Sequence, residues 1–592
     1  MNFVAAILYA ASTSALLAVV LGLLGGGLHS ASAGMALSAG LLVASATFWK
    51  GRTQRAATTP PTAWEWVAIV SFALVALRIF LWVVFVQGDE IMVLSPNNLG
   101  DLSLHLTYIH FIANGAPFWP DNPIFAGHPL TYPLGVDLLH SLVVLLGGDP
   151  LRAFVWFGLI GSALTGVALW RWGRGFVLFG FIANGGLAAL EILETGALAD
   201  FQAPHAWKSF ALALLATQRG LLFALPAGLL LLGSWRGRFF SGDNPSARLP
   251  IWGEVLLYAS IPLFHFHTFL FLSVLLGSWF LLHAPARRGL LVLVGAAFLP
   301  ATALVWLITG GLQGGRVLGW KPGWMMNDPS FLDWCQRILG SSDSTLAALV
   351  FWPLNFGILP ILVIALLVAL WRERDDWARA IVFPAVGVFL VCCFVKFAPW
   401  EWDNTKLMVW SYLAVLPFIW SKVLVHWSRW TQAAALFALF ASGFLSTLGG
   451  IDGSHRGHAI ASRYELASTR QAVRAIPLAE RFAGAPTYNH PLLLCGRKMV
   501  VGYLGHVESH GLDWQDTAAE LDALMRGVEG WPDLANALGV RYLFWGQPEN
   551  EAYQDSPQPW RREVRIVASG EWGAIYDLQS PPDPSAVLNM LE

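Results

Sequence analysis

The amino-acid sequence predicts a mainly α, polytopic helical membrane protein of about thirteen membrane segments, followed by a small C-terminal extracytoplasmic α/β domain. Three observations predict it. Hydrophobic residues are 56% of the chain and charged residues 12%, whereas a soluble domain carries about 25% charge. Apolar runs long enough to cross a bilayer, about 20 residues each, recur from the N-terminus to Gly450. Beyond Gly450 the polarity is ordinary and short apolar fragments replace the long runs. Residues 1–450 therefore read as a transmembrane domain with a long first outer loop at 87–150, and residues 451–592 as a soluble domain.

In order, spans are expected at Asn2–Leu24, Ala31–Phe48, Trp64–Val86, Leu151–Trp170, Gly175–Leu193, Gly220–Trp235, Leu290–Thr309, Leu346–Leu370, Ala380–Val395, Leu407–Val425 and Gln432–Leu448. The first reads as a retained span, not a cleaved signal peptide, because no basic cluster precedes it. Pro262 and the sequence FHFH (Phe264–His267) interrupt the run Glu254–Leu282, which reads as two short segments forming a hairpin. In the tail, Gly539–Gly546 and Glu571–Leu578 read as strands, and Ser468–Ala475 and Trp514–Met525 as helices.

Basic residues set the sidedness, since cytoplasmic loops carry the Lys/Arg excess. Lys50, Arg52, Arg55, Arg171, Arg174, Arg236, Arg238, Arg248, Arg287, Arg288, Arg372, Arg374, Arg379, Lys422 and Arg429 all fall in alternate loops. One assignment then puts Gly100–His140, Glu191–Arg219, Gly310–Thr345, Phe397–Lys406 and the C-terminal region together on the outer face of a cytoplasmic (inner) membrane. A net charge of −2 gives no sign of a nucleic-acid partner. There is no Walker A loop, GxGxxG fingerprint or zinc-spaced Cys/His set, and four cysteines are too few for a disulfide framework. Nucleotide-driven chemistry is disfavoured accordingly.

The polar residues that remain gather in the outer loops. The stretch Gly100–His140 holds Asp101, Asp121 and Asp137, with His105, His110, His128 and His140, and no lysine or arginine. Asp101, His105 and Tyr108 share one helical face, as do Asp137 and His140 on the next helix. Prolines from Pro117 to Pro133 impose an extended, turning path between them. Later outer loops add Lys208, Arg219, the sequence WKPGW around Lys321, and PWEWDNTK with Asp403, Asn404 and Lys406. His265 and His267 flank the hairpin break. His490, His506 and His510 in the tail read as local hydrogen-bonding groups. The 30 tryptophans suit interface belts and sugar stacking alike.

A long first outer loop that opens with Asp101 on a short helix and continues through GHPLTYP (Gly127–Pro133) into another helix resembles the type-C glycosyltransferase (GT-C) superfamily. The plan is similar to protein O-mannosyltransferases and lipid A aminoarabinose transferases. The family's adjacent Asp-Glu pair is not at Asp101, which precedes Leu102; such a pair stands at Asp89–Glu90. The resemblance implies a glycosyltransferase that moves a sugar from a polyprenyl-phosphate donor to a hydroxyl of a lipid, glycan or protein acceptor. Asp101 is then the expected base, with His105 beside it, and Asp89, Glu90 and Asp137 are the alternative carboxylates. Arg219, Lys208, Lys321 and Lys406 are expected at the donor phosphate, and His128, Tyr132, His140, Asp403 and Asn404 at the substrates. The acidic loop permits a divalent metal (Mg or Mn), held by Asp101 and His105. Two other classes fit a polytopic chain of this kind. A transporter or flippase of lipid-linked sugars would show paired interrupted segments, of which the sequence has one. A non-catalytic assembly factor for cell-surface glycan synthesis would carry a degenerate site.

Overall fold

The computed structural model describes residues 2–51, 60–240, 248–312, 318–452 and 456–582. Arg52 and Arg55, used above for sidedness, lie outside the described residues. The membrane part begins with a helical hairpin, α1 (Asn2–Gly25) and α2 (Ser30–Gly51), and continues with α3 (Ala63–Leu81). Thr62 and Glu65 form a capping box at the start of α3. A short antiparallel ribbon, β1 (Phe85–Gln87) and β2 (Glu90–Val93), leads to the first-loop helices α4 (Asn98–Ala113) and α5 (Gly135–Leu145).

Among the described residues, seven helices are long and apolar enough to cross a membrane, or eight if one bent pair counts as a span. The expected thirteen is thus not reached, for identifiable reasons. The run expected as two spans at 151–193 is one element, α6 (Pro150–Ile182), which turns at Gly173 and Arg174, where Arg174 has φ 60° and ψ −151°. Its second part is helical only to Ile182, because Gly185 and Gly186 then press against neighbouring backbone. A Cβ on Gly186 would stand 2.0 Å from the Leu354 carbonyl oxygen. After α7 (Leu221–Trp235), the expected hairpin is present as α8 (Ile251–Phe264) and α9 (Phe266–Leu282). These helices have 14 and 17 residues, about 21 and 26 Å of rise, short of a ~30 Å hydrocarbon core. His265 is extended between them (φ −158°, ψ 102°), and its Nδ1 accepts the amide hydrogen of Thr268 at 3.2 Å, capping α9. The Tyr258 hydroxyl meets Ser273 Oγ at 2.8 Å, so the two helices fold back on each other.

Then follow α10 (Arg287–Ile308), strand β3 (Gly319–Trp320) and α11 (Pro329–Leu339). The expected span Leu346–Leu370 is instead two helices, α12 (Ser344–Phe356) and α13 (Leu359–Arg372), bent by 76° at Gly357, which has φ +55°. The membrane part ends with α14 (Asp376–Cys392), strand β4 (Val395–Lys396, paired with β3), α15 (Thr405–Lys422) and α16 (Arg429–Gly450). At one end of the bundle three of the basic residues of the alternate loops are held in ion pairs. Arg174 meets Glu65 at 2.9 Å, Arg238 meets Glu254 at 2.9 Å, and Lys422 meets Glu373 and Asp375 at 2.8 and 3.1 Å.

The C-terminal region grips the first loop. Strand β5 (His458–Ser462) pairs antiparallel with β2, Glu90 opposite Ser462. A five-stranded sheet follows, in the order β7 (Lys498–Met499), β6 (Arg481–Ala483), β8 (Tyr542–Gly546), β10 (Gly573–Asp577), β9 (Arg565–Gly570). Strand β6 runs parallel to both neighbours, whereas β8, β10 and β9 are antiparallel. Strands at 542–546 and 573–577 and the helix at 515–525 stand where the tail fragments predicted them, whereas the helix expected at Ser468–Ala475 runs from Arg463 to Val473. Backbone bonds Ala126 N to Met499 O, Met499 N to Pro123 O and Gly502 N to Ile124 O tie this region to the Pro-rich turn. His110 Nδ1 donates to the Leu494 carbonyl at 2.7 Å.

Candidate functional site

At the end of the bundle opposite the basic pairs lies a cavity of about 1350 Å³. Six separate parts of the chain wall it: the first-loop helices with the turn 128–133, the loop 207–220, the hairpin break at 264–267, the stretch from α10 to β3 through Ile308, Thr309 and Leu318, the loop 396–406, and the C-terminal segment Tyr503–Asp513. Asp101, His105, His128, Tyr132, Asp137, Lys208, Arg219, Asp403 and Lys406 all line it. They come from positions three hundred residues apart because the helices return their loops to one end.

His105 and Asp137 form a buried polar contact in the cavity wall. Nδ1 of His105 donates to Asp137 Oδ1 at 2.7 Å, with both side chains buried. The spacing that put Asp101 and His105 on one face is retained, yet the partner of His105 is Asp137, on the facing helix. Burial pushes the Asp101 carboxyl above the usual range, and the charges of His105, Lys406 and Arg219 oppose that rise. Tyr132 stacks between Tyr108 and His510, at 5.3 Å from each ring, and stands edge-on to His105 at 6.2 Å.

Arg219 is 2% exposed, and its Nε and Nη2 have no hydrogen-bond partner. Its guanidinium rests on the Phe154 ring at 4.3 Å. A buried cation without a partner is costly, since the charge loses water and gains nothing in return. Such a group facing a cavity is arranged for an anion. His265 and His267 present further unpartnered Nε2 atoms beside it. Lys208 lies 4.5 Å over the Trp402 ring, and burial lowers its affinity for its proton. Lys406 pairs with Asp403 at 3.0 Å.

Other expected site residues are held elsewhere. Asp89 accepts from Ser462 and from the Tyr464 amide, fastening β5 to the ribbon, and Glu90 is an exposed strand residue. Neither lines the cavity. His140 is buried between Phe154 and Phe157 with Nδ1 bonded to the Val136 carbonyl. Asn404 spends its side-chain amide on Phe397, Cys392 and Val395. Lys321 pairs with Glu401 at the rim. These side chains do structural work that spacing alone does not reveal.

Conversely, His506 and His510, read as local groups, form part of the cavity wall. Burial holds His510 down at about 4, and its Nδ1 has no hydrogen-bond partner. Trp402 and Lys396 also line the site; nothing in their local sequence distinguishes them from other loop residues. As for a metal, no group of three His, Cys, Asp or Glu converges among the described residues. With its Nδ1 committed to Asp137, His105 adds one nitrogen at most, so Asp101 and His105 do not make a protein cage for Mg or Mn.

No family model matches the chain, and no curated protein sequence matches it. Among solved structures, the crystal structure of the Archaeoglobus fulgidus oligosaccharyltransferase in complex with Zn and sulfate aligns with 87% of this chain and 73% of that chain. The sequence identity is 13% and the TM-score 0.43. That likeness is too distant to assign a function, which rests on the cavity itself.

Proposed function

We propose that this chain is a membrane glycosyltransferase that moves a sugar from a polyprenyl-phosphate donor to an acceptor hydroxyl, on the extracytoplasmic face. The observation that carries the reading is Arg219, a buried, unpartnered guanidinium in the same cavity as Asp101. A planar fork of donors suits a phosphate. A second observation supports a lipid-borne phosphate. An apolar groove of about 1130 Å³ runs between α9 and α14 and shares Leu270 and Phe397 with the polar cavity. A prenyl chain in the groove would carry its phosphate to Arg219. The acceptor hydroxyl then attacks the sugar C1, the C1–O bond to phosphate breaks, and the bonding electrons leave on the phosphate. Arg219 and Lys406 stabilise that charge as it forms. A group in the cavity must receive the acceptor's proton, and its lining offers Asp101 and His105. No step is assigned to a metal. Sidedness follows from the basic end of the bundle, which the charge rule places in the cytoplasm.

The test is transfer from radiolabelled polyprenyl-phosphate sugars by the purified chain in lipid, wild type beside Asp101→Asn. Transfer by the wild type and weaker transfer by a folded mutant are expected, whether Asp101 acts as a base or holds a substrate hydroxyl. A wild type that carries the lipid across the bilayer without transferring any sugar would replace this reading with a flippase.

A further inference from the structure

The proton acceptor of the site is identifiable from geometry, given the transfer reading above. We infer that His105, oriented by Asp137, takes the acceptor's proton, and that Asp101 has a different role. Asp137 is buried, and an ionised carboxylate only accepts, so His105 donates from Nδ1 across 2.7 Å. The lone pair then sits on Nε2, at the opposite edge of a ring that lines the cavity. Tyr132 stands edge-on to that ring at 6.2 Å. A base held in one tautomer and one orientation begins the reaction with no reorganisation left to do.

Asp101 lacks that support. No hydrogen bond among the described residues fixes its carboxylate, whose surroundings are the charges of His105, Lys406, Arg219 and Asp403. It stands one turn before His105 on the same face. Its place suits holding a sugar hydroxyl and balancing the cations. In the balanced step, the acceptor oxygen bonds to C1 as its proton passes to His105 Nε2. The imidazolium formed is stabilised by Asp137, which is therefore a positioning residue, and the electron pair of the broken C1–O bond leaves on the phosphate. The charged and titratable groups around His105 come from every packed element. They are Asp101 on its own helix, Asp137 and His140 on α5, Tyr132 on the turn, Arg219 before α7, and His506 from the C-terminal region.

The experiment uses the full chain in lipid nanodiscs, with wild type, His105→Gln, Asp137→Asn and Asp101→Asn. For His105→Gln, kcat should fall by about 10²–10⁴-fold, while affinity for polyprenyl phosphate stays within about twofold of wild type. The acid limb of the kcat profile should vanish in His105→Gln and move in Asp137→Asn, which a merely structural contact would not produce. Diethyl pyrocarbonate, which acylates neutral imidazole nitrogens, gives a readout without turnover. By peptide mass spectrometry, His105, whose ring lines the cavity, should react ahead of His140, which Phe154 and Phe157 enclose, and more slowly in Asp137→Asn. Turnover in His105→Gln within about fivefold of wild type, with Asp101→Asn inactive, would overturn the inference and make Asp101 the base. So would an unreactive His105, or a reactivity and pH profile indifferent to Asp137→Asn. A wild type that transfers no sugar, yet keeps the reactivity pattern, would sink the transfer reading and leave the dyad as a base for another reaction.

Discussion

Arg174 and Arg238 at one end of the helical bundle differ from Arg219 at the other in how their charge is met. At one end the cations are paired: Arg238 is clasped by Glu254, which Ser234 also binds, and Arg174 is held by Glu65 and the Pro60 carbonyl. At the other end Arg219 is more deeply buried than either of these and has no hydrogen-bond partner on two of its nitrogens. Both ends satisfy the same physics, because a buried charge needs a counter-charge or hydrogen bonds. The paired end finds them within the chain. The cavity end leaves room for them to arrive with a ligand. An unpaired buried cation is therefore informative about function where a paired one informs about stability.

That contrast can be broken at the paired end first. Glu254→Gln leaves Arg238 without its counter-charge and should cost about 3 kcal/mol, the scale for removing one member of a buried pair. Thermal unfolding in detergent measures it, and a loss of transfer beyond that due to unfolding is not expected. Arg219→Met tests the other end. With no partner to strand, stability should change by less than about 1 kcal/mol, while binding of polyprenyl phosphate weakens by about 100-fold, near 2.7 kcal/mol. If Arg219→Met unfolds the chain as Glu254→Gln does, the two ends are alike and the reading of Arg219 as an anion site fails. The smallest effect sharpens the boundary. Lys321 is more than half exposed and paired with Glu401 at the rim, so Lys321→Ala should alter stability by less than about 1 kcal/mol and leave donor affinity unchanged.

The hairpin break shows how far local sequence reaches. Pro262 and the FHFH sequence mark the interruption, since proline withholds an amide hydrogen and the polar rings disfavour an uninterrupted span. The same sequence does not show that the break lands beside Arg219, or that Nδ1 of His265 is used up as a helix cap. Asp89–Glu90 illustrates the converse. An adjacent acid pair beside a span is conspicuous as sequence, yet Asp89 is consumed by Ser462 and Tyr464, more than 370 residues later.

By itself the sequence determined what depends on neighbouring residues. Apolar runs fixed most helices, alternating fragments fixed β8 and β10, and helical spacing put Asp101 and His105 on one face. Span number was less legible, because whether Gly185 and Gly186 continue a helix depends on the Leu354 carbonyl they approach. Only the tertiary structure decided the pairs: His105 with Asp137 and not Asp101, Tyr132 against His510, Arg219 against Phe154 with no hydrogen bond on Nε or Nη2. The physical reason is that a side chain's partner is set by which elements pack against it. Burial then converts that choice into chemistry, since removing water makes each contact, or its absence, decisive.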